Sequence, residues 1–163
     1  GVLANDGCIY CCPRGASRVL KLDPARNHHV ELIGDTYHGS LNKWVNGVLG
    51  PDDRIYCPPA DSQKVLCIDP AERSTKLVGI DFGDPSIYKW CSGVLARDGC
   101  IYAIPYKAPS VLRLKMPVPA DWVHPVGEPW VPHKHGSFTP ASRQHAWQLL
   151  CIGYQLAHSG PFQ

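Results

Sequence analysis

Gly47-Val48-Leu49-Gly50-Pro51-Asp52-Asp53-Arg54-Ile55-Tyr56 decides the reading, because the chain carries this stretch in three related copies. Shifted by 46 positions in either direction, it meets Gly1-Val2-Leu3-Ala4-Asn5-Asp6-Gly7-Cys8-Ile9-Tyr10 and Gly93-Val94-Leu95-Ala96-Arg97-Asp98-Gly99-Cys100-Ile101-Tyr102 without a gap. Over the first 24 positions of the unit, the copy at Gly1 shares 12 identities with the copy at Gly47 and 14 with the copy at Gly93. Chance does not produce such agreement in a chain of ordinary composition.

A period in the forties fits four-stranded repeats and two-helix repeats alike, so local signals must choose between them. Asp-Gly or Asp-Asp between short apolar runs predicts a hairpin turn, since glycine accepts positive φ. Strands a and b flank that turn. Strand b runs into Pro13, Pro59 or Pro105, which cannot continue a sheet ladder. Strand c follows as Val19–Leu22, Val65–Ile68 and Val111–Leu114, and Asp23-Pro24 and Asp69-Pro70 terminate its first two copies. Strand d is expected at Val30–Ile33 and Lys76–Ile80. Within strand c, Leu20 and Leu22 fall on one side and Lys21 on the other, predicting a leucine side between sheets and a lysine side that is partly wet.

A meander of this kind places its a–b and c–d turns on one face and its b–c loops and d–a linkers on the other. The second face collects the irregular segments: 14–18, 61–64 and 106–110, with the linkers 35–46 and 81–92. Variable loops on a rigid scaffold are where binding usually resides. Both linkers end in the same pair, Lys43-Trp44 and Lys89-Trp90. One reading makes each Trp a packing residue between repeats and each Lys a solvated neighbour. The other makes them a ring at a channel mouth, where Trp anchors a partner segment and Lys donates to it. Tyr37 and Tyr106 join the four as candidate binding residues, and the third copy has Gly136 where the Trp would stand.

Composition sets outer limits. An apolar fraction of 44% with 18% charged residues argues for a globular chain, and a net charge of +2 is too small to imply nucleic acid or an anionic membrane. No apolar run approaches the roughly 20 residues of a membrane span. Of the eight cysteines, Cys8 and Cys100 share a repeat position with Arg54, Cys11 and Cys57 share one with Ala103, and Cys67 aligns with Lys21 and Arg113, which argues against a disulfide or metal framework. Free thiols in an intracellular, reducing compartment are the expectation. Cys8, Cys11 and Cys12 look like half of a zinc pattern with no second half, and His124, His133 and His135 lie in an irregular Pro-Trp-rich stretch, so no metal and no cofactor is expected. The recurring aspartates belong to turn signals, and no catalytic residue is assigned.

Past Lys115 the pattern fails, apart from a degenerate fourth strand around Trp122-Val123. Thr139-Pro140 then starts and Ser159-Gly160-Pro161 stops an amphipathic helix, with Ala146, Trp147, Leu150, Cys151, Tyr154 and Ala157 on its apolar face. The expected organisation is blade 1 over 1–46, blade 2 over 47–92, a partial third blade and connection over 93–138, and the helix over 139–160. The repeat Gly-Val-Leu-Ala-x-Asp-Gly-x-Ile-Tyr, followed by Val-Leu-x-Ile-Asp-Pro, resembles the tandem propeller repeats of unicellular algae and, more distantly, kelch and NHL-type blades. The resemblance covers about residues 1–115 and is specific for the repeat rather than for an activity.

The fold expected is therefore all-β: an incomplete β-propeller, an open arc of about three four-stranded antiparallel blades, with a C-terminal α-helix. Too few blades are present to close a ring, and the chain opens inside a blade with no leader pattern, so a truncated start and closure by further sequence or by assembly are expected. The function such a scaffold implies is non-catalytic binding of a protein or peptide through the loop face, with self-association through open blade edges. A calcium-dependent lactonase-like propeller enzyme is the alternative, although strand a carries no acid, and a fragment without independent function is a third.

Overall fold

Twelve short strands follow from the turn chemistry, in a computed structural model that describes residues 1–116 and the backbone of 123–126. They are β1 (Val2–Leu3), β2 (Ile9–Cys11), β3 (Val19–Asp23), β4 (His29–Ile33), β5 (Val48–Leu49), β6 (Ile55–Cys57), β7 (Val65–Asp69), β8 (Ser74–Val78), β9 (Trp90–Leu95), β10 (Ile101–Pro105), β11 (Val111–Leu114) and β12 (Val123–Val126). Each hairpin between strands a and b turns on a residue in the left-handed region: Gly7 at φ 79°, Asp53 at 61° and Gly99 at 76°. The middle copy holds this conformation without glycine, at a steric cost of about 1 kcal/mol. Consecutive strands then pair antiparallel into three four-stranded sheets in chain order. The fold is an arc of three propeller blades, all-β among the described residues. The segment expected as a C-terminal helix lies outside them.

β12 completes the third sheet, pairing Leu114 with Val123 and Val111 with Val126. Its Pro125 is tolerated because the strand lies on the sheet edge, where an N–H need not join a ladder. Strand d of the second blade begins earlier than the ungapped alignment predicts. Val19 pairs with Ile33 but Val65 pairs with Val78, because the c–d turn holds residues 24–28 in the first blade and only 70–73 in the second. Gly79 and Ile80, expected in the strand, therefore belong to the linker.

Packing between blades corrects the expected division of strand c into a dry and a wet side. Leu66 and Ile68 of β7 are fully buried against Tyr10, Val19 and Ile33 of the first blade. Cys67 and Val65, on the opposite side of the same strand, are equally buried against Ile101, Leu112 and Leu114 of the third. A middle blade has two neighbours, so both its sides are interior. Each large aliphatic side chain so buried contributes about 1.5–3 kcal/mol. Lys21, at the position of Cys67, bridges Asp6 at 3.6 Å and Glu31 at 3.9 Å, over the Tyr10 ring.

The glycine that opens each repeat is set by the same junctions. A Cβ on Gly47 would lie 3.1 Å from the Cys12 sulfur and 3.1 Å from a Val2 methyl, and one on Gly93 would lie 3.2 Å from a Val48 methyl. A side chain at either glycine would press on the neighbouring blade, whose residues would have to shift by a few tenths of an ångström.

Candidate functional site

On the turn face the recurring aspartates are committed to structure. Tyr10, Tyr56 and Tyr102 donate their hydroxyls to Asp6, Asp52 and Asp98 at 2.7, 2.8 and 2.8 Å, so the strand-b tyrosine ties down the turn that precedes it. The other carboxylate oxygen of Asp6 and of Asp98 accepts the backbone N–H of Cys8 or Cys100, at 3.0 Å in both cases. Burial opposes ionisation of Asp6, but the hydrogen bonds from Tyr10 and Cys8 and the nearby Lys21 ammonium hold its carboxyl below the ordinary value. Asp98 is lowered by the Cys100 N–H and then by Tyr102. Asp69 is lowered, against burial, by Arg54, whose guanidinium lies 2.8 Å away, and by backbone N–H groups. A hollow lined by Asp6, Asp52, Asp53, Asp69 and Glu72 does form here. No three metal-ligating groups cluster among the described residues.

The loop face is built by one latch used twice. Trp44 is buried at 2% exposure and Trp90 at 3%. Their indole N–H groups donate to the carbonyls of Lys64 at 2.9 Å and Ser110 at 3.0 Å, residues one repeat apart. Each ring meets an aromatic side chain from the early part of the linker, packed edge-on: Tyr37 against Trp44 at 5.1 Å, and Phe82 against Trp90 at 4.9 Å. The backbone repeats too. Lys43 N–H donates to Arg14 and Lys89 N–H to Ala60, while the Lys43 and Lys89 carbonyls accept from the b–c loops at 60–62 and 106–108. Pro59 and Pro105, predicted to end strand b, sit opposite Trp44 and Trp90.

The tryptophans are thus packing residues at blade junctions and do not display a ring at a channel mouth. The lysines beside them depart from the expected solvated state, being only 4% and 5% exposed. Lys89 survives burial because its ammonium donates to three carbonyls: Asp84 at 2.9 Å, Ile87 at 3.3 Å and Asp61 at 3.4 Å. Burial pulls its pKa below the usual lysine value, with Asp61, Asp84 and Asp81 opposing. Lys43 donates to the Ser40 carbonyl alone among the described residues, at 3.2 Å.

Beside Lys43 a cleft of about 430 Å³ opens on the loop face. The first linker (Tyr37, His38, Ser40), the second b–c loop (Asp61, Ser62, Gln63) and the second linker (Asp81, Pro85) form its walls. Three of the six candidate binding residues, Tyr37, Lys43 and Trp44, meet here. Lys89 and Trp90 belong to the next junction, and Tyr106 lies on the surface, 56% exposed, edge-on to Tyr88 at 4.9 Å. Tyr37 fixes the near wall, its hydroxyl donating to Thr75 Oγ1 at 2.9 Å. Burial raises its pKa. Asp61 is buried and accepts the Ser40 hydroxyl. Sequence reading flagged the 61–64 loop but not Ser40 or Asp61 as partners. Phe82 escaped notice because the shorter c–d turn puts it one position out of register with Tyr37.

Three repeated meanders latched through their linkers define a β-propeller segment. Among solved structures the chain is similar to virginiamycin B lyase from Staphylococcus aureus, with a TM-score of 0.57 and 10% identity over 71% of this chain and 36% of that one. A streptogramin B lyase structure gives a TM-score of 0.58 and 13% identity over 77% and 39%. Hydrazine synthase from Kuenenia stuttgartiensis gives 0.51 and 16% over 70% and 31%. The chain thus spans less than half the length of each. No family model matches the sequence, and no curated protein matches it either.

Proposed function

We propose that this propeller segment is a non-catalytic binding module whose loop-face cleft receives an extended segment of a partner protein. The observation that carries the reading is the cleft itself, walled by two linkers and a b–c loop and set on the rigid Trp44 junction. Its wall mixes aromatic surface from Tyr37, backed by the buried Trp44, with hydrogen-bonding groups from Ser62, Gln63 and Asp61, the mixture that recognises a peptide backbone and one side chain together. At 10–16% identity the likeness to the lyases establishes fold only, and their chemistry is not transferred to this chain. The turn-face carboxylates, already tied to tyrosines, arginines and backbone N–H groups, give the calcium-dependent enzyme reading no support of their own.

Panning a random peptide display library on the immobilised chain tests this reading. Enriched peptides should bind the parent protein and lose binding to Ser62→Trp, which fills the cleft with a side chain while keeping the backbone N–H that bonds the Lys43 carbonyl. Peptides that bind both equally would place recognition elsewhere. The open end faces of the arc belong to the same reading: as a module of an incomplete ring, the chain associates through them with further blades or with its own kind.

A further inference from the structure

We infer that Lys43 is the receptor for a carboxylate on the bound peptide, an inference that rests on the cleft being a peptide site. Lys43 and Lys89 occupy the same repeat position and the same latch, yet their ammonium groups are treated differently. Lys89 spends all three donors on carbonyls. Lys43, 4% exposed, spends one, on the Ser40 carbonyl, and lines the cleft. Among the described residues no carboxylate lies within ion-pair distance of it. A largely buried ammonium with two open donors and no direct ion pair is costly unless a partner takes those donors. Water can take them in the free protein, and an anion in contact adds a charge-assisted hydrogen bond that water does not.

The rest of the cleft restricts what that anion can be. Asp61 and Asp81 share the walls, so a bare anion meets opposing charge. Asp61 uses one carboxylate oxygen for the Ser40 hydroxyl, and its other oxygen accepts no hydrogen bond among the described residues. A ligand that fits offers a carboxylate to Lys43 and an N–H donor to Asp61 within a few ångströms of each other, with an apolar group for Tyr37. An acylated amino acid or peptide has that arrangement. Its carboxylate can come from the chain terminus or from an acidic side chain.

Titrations of the uniformly 15N-labelled chain separate the possibilities, with the Trp44 indole N–H as reporter. The probes are N-acetylphenylalanine, N-acetylphenylalaninamide and N-acetylaspartamide, the last carrying only a side-chain carboxylate. At least one carboxylate probe should bind about tenfold more tightly than the neutral amide, the difference between a charge-assisted and a neutral hydrogen bond. Which of the two binds identifies the source. Lys43→Gln should erase the preference and Lys43→Arg should keep it, so a folding defect in one variant leaves the other informative. Equal binding of acid and amide would overturn the carboxylate assignment while leaving the cleft a peptide site. If display peptides bind the cleft but no acidic probe moves the reporter, the assignment likewise fails and the site stands. Loss of binding with Ser62→Trp alone would not rescue it.

Discussion

The most informative single residue is the tyrosine of strand b. Its repetition as Tyr10, Tyr56 and Tyr102 looks in the sequence like β-propensity, and the aspartate four positions earlier looks like a turn former. In the fold the two are one device, a hydroxyl clamping the turn carboxylate. Tyr56→Phe keeps the buried ring and removes the hydroxyl, with its 2.8 Å bond to Asp52 and its interaction with the Cys67 thiol, so it should cost about 1 kcal/mol, read as a lower urea midpoint with an unchanged m-value. The clamps also set the response to acid. Asp6, Asp69 and Asp98 all have folded pKa values depressed below the ordinary 3.8. Their contribution to stability is then complete above the unfolded value and is lost as pH falls through the lower folded values. Urea midpoints should therefore stay level from these groups between about pH 7 and pH 5 and drop below about pH 4. A midpoint that fell between pH 7 and pH 5 and then levelled would contradict the assignment.

At the level of elements, the strands were legible because turn chemistry and alternation are local properties. Asp6-Gly7, Pro13 and Asp23-Pro24 mark strand ends wherever they occur. What stayed hidden was relational. The one-residue shortening of the second c–d turn moves strand d and exchanges Phe82 for Tyr37 without leaving any mark in the ungapped alignment. The Lys-Trp pair was visible as a repeat, but its burial was not, because the carbonyls that receive the Lys89 ammonium come from Asp61, Asp84 and Ile87, scattered over two segments. That difference in partners has a measurable consequence. Lys89→Met orphans three carbonyl interactions and should cost about 1–3 kcal/mol, whereas Lys43→Met forfeits one and relieves a buried charge, so it should cost less. Thermal or urea denaturation of the two variants side by side checks the order, and a Lys43→Met variant less stable than Lys89→Met would show the latch misread.

Among the described residues, the outer faces of the first and third blades leave open apolar positions that the middle blade covers. In the middle blade Ile55, Leu66 and Ile68 face backwards and Tyr56 and Val65 face forwards, all almost completely covered. Their counterparts at the ends are not: Ile9, Leu20 and Leu22 are partly open at the back of the first blade, as are Tyr102 and Val111 at the front of the third. Beside them Val30 is 52% exposed at one end, where its counterpart Thr75 is buried, and Val94 and Ile104 are 51% and 44% exposed at the other. Besides the unpaired strand edges expected to drive association, these sheet faces offer apolar area for it. Because each internal junction mates a forward face with a backward one, the two ends are complementary to each other and not to themselves. Association through these faces would be head-to-tail, a heterologous contact that closes only if the rotation permits. The chain should associate with rising concentration in sedimentation velocity, and Leu22→Lys at the back or Ile104→Lys at the front should each abolish it. Mixing these two variants leaves one intact forward face and one intact backward face, so a dimer with a single junction should return. Failure of the mixture to associate, with both variants folded, would rule out the head-to-tail arrangement and point to pairing of like surfaces.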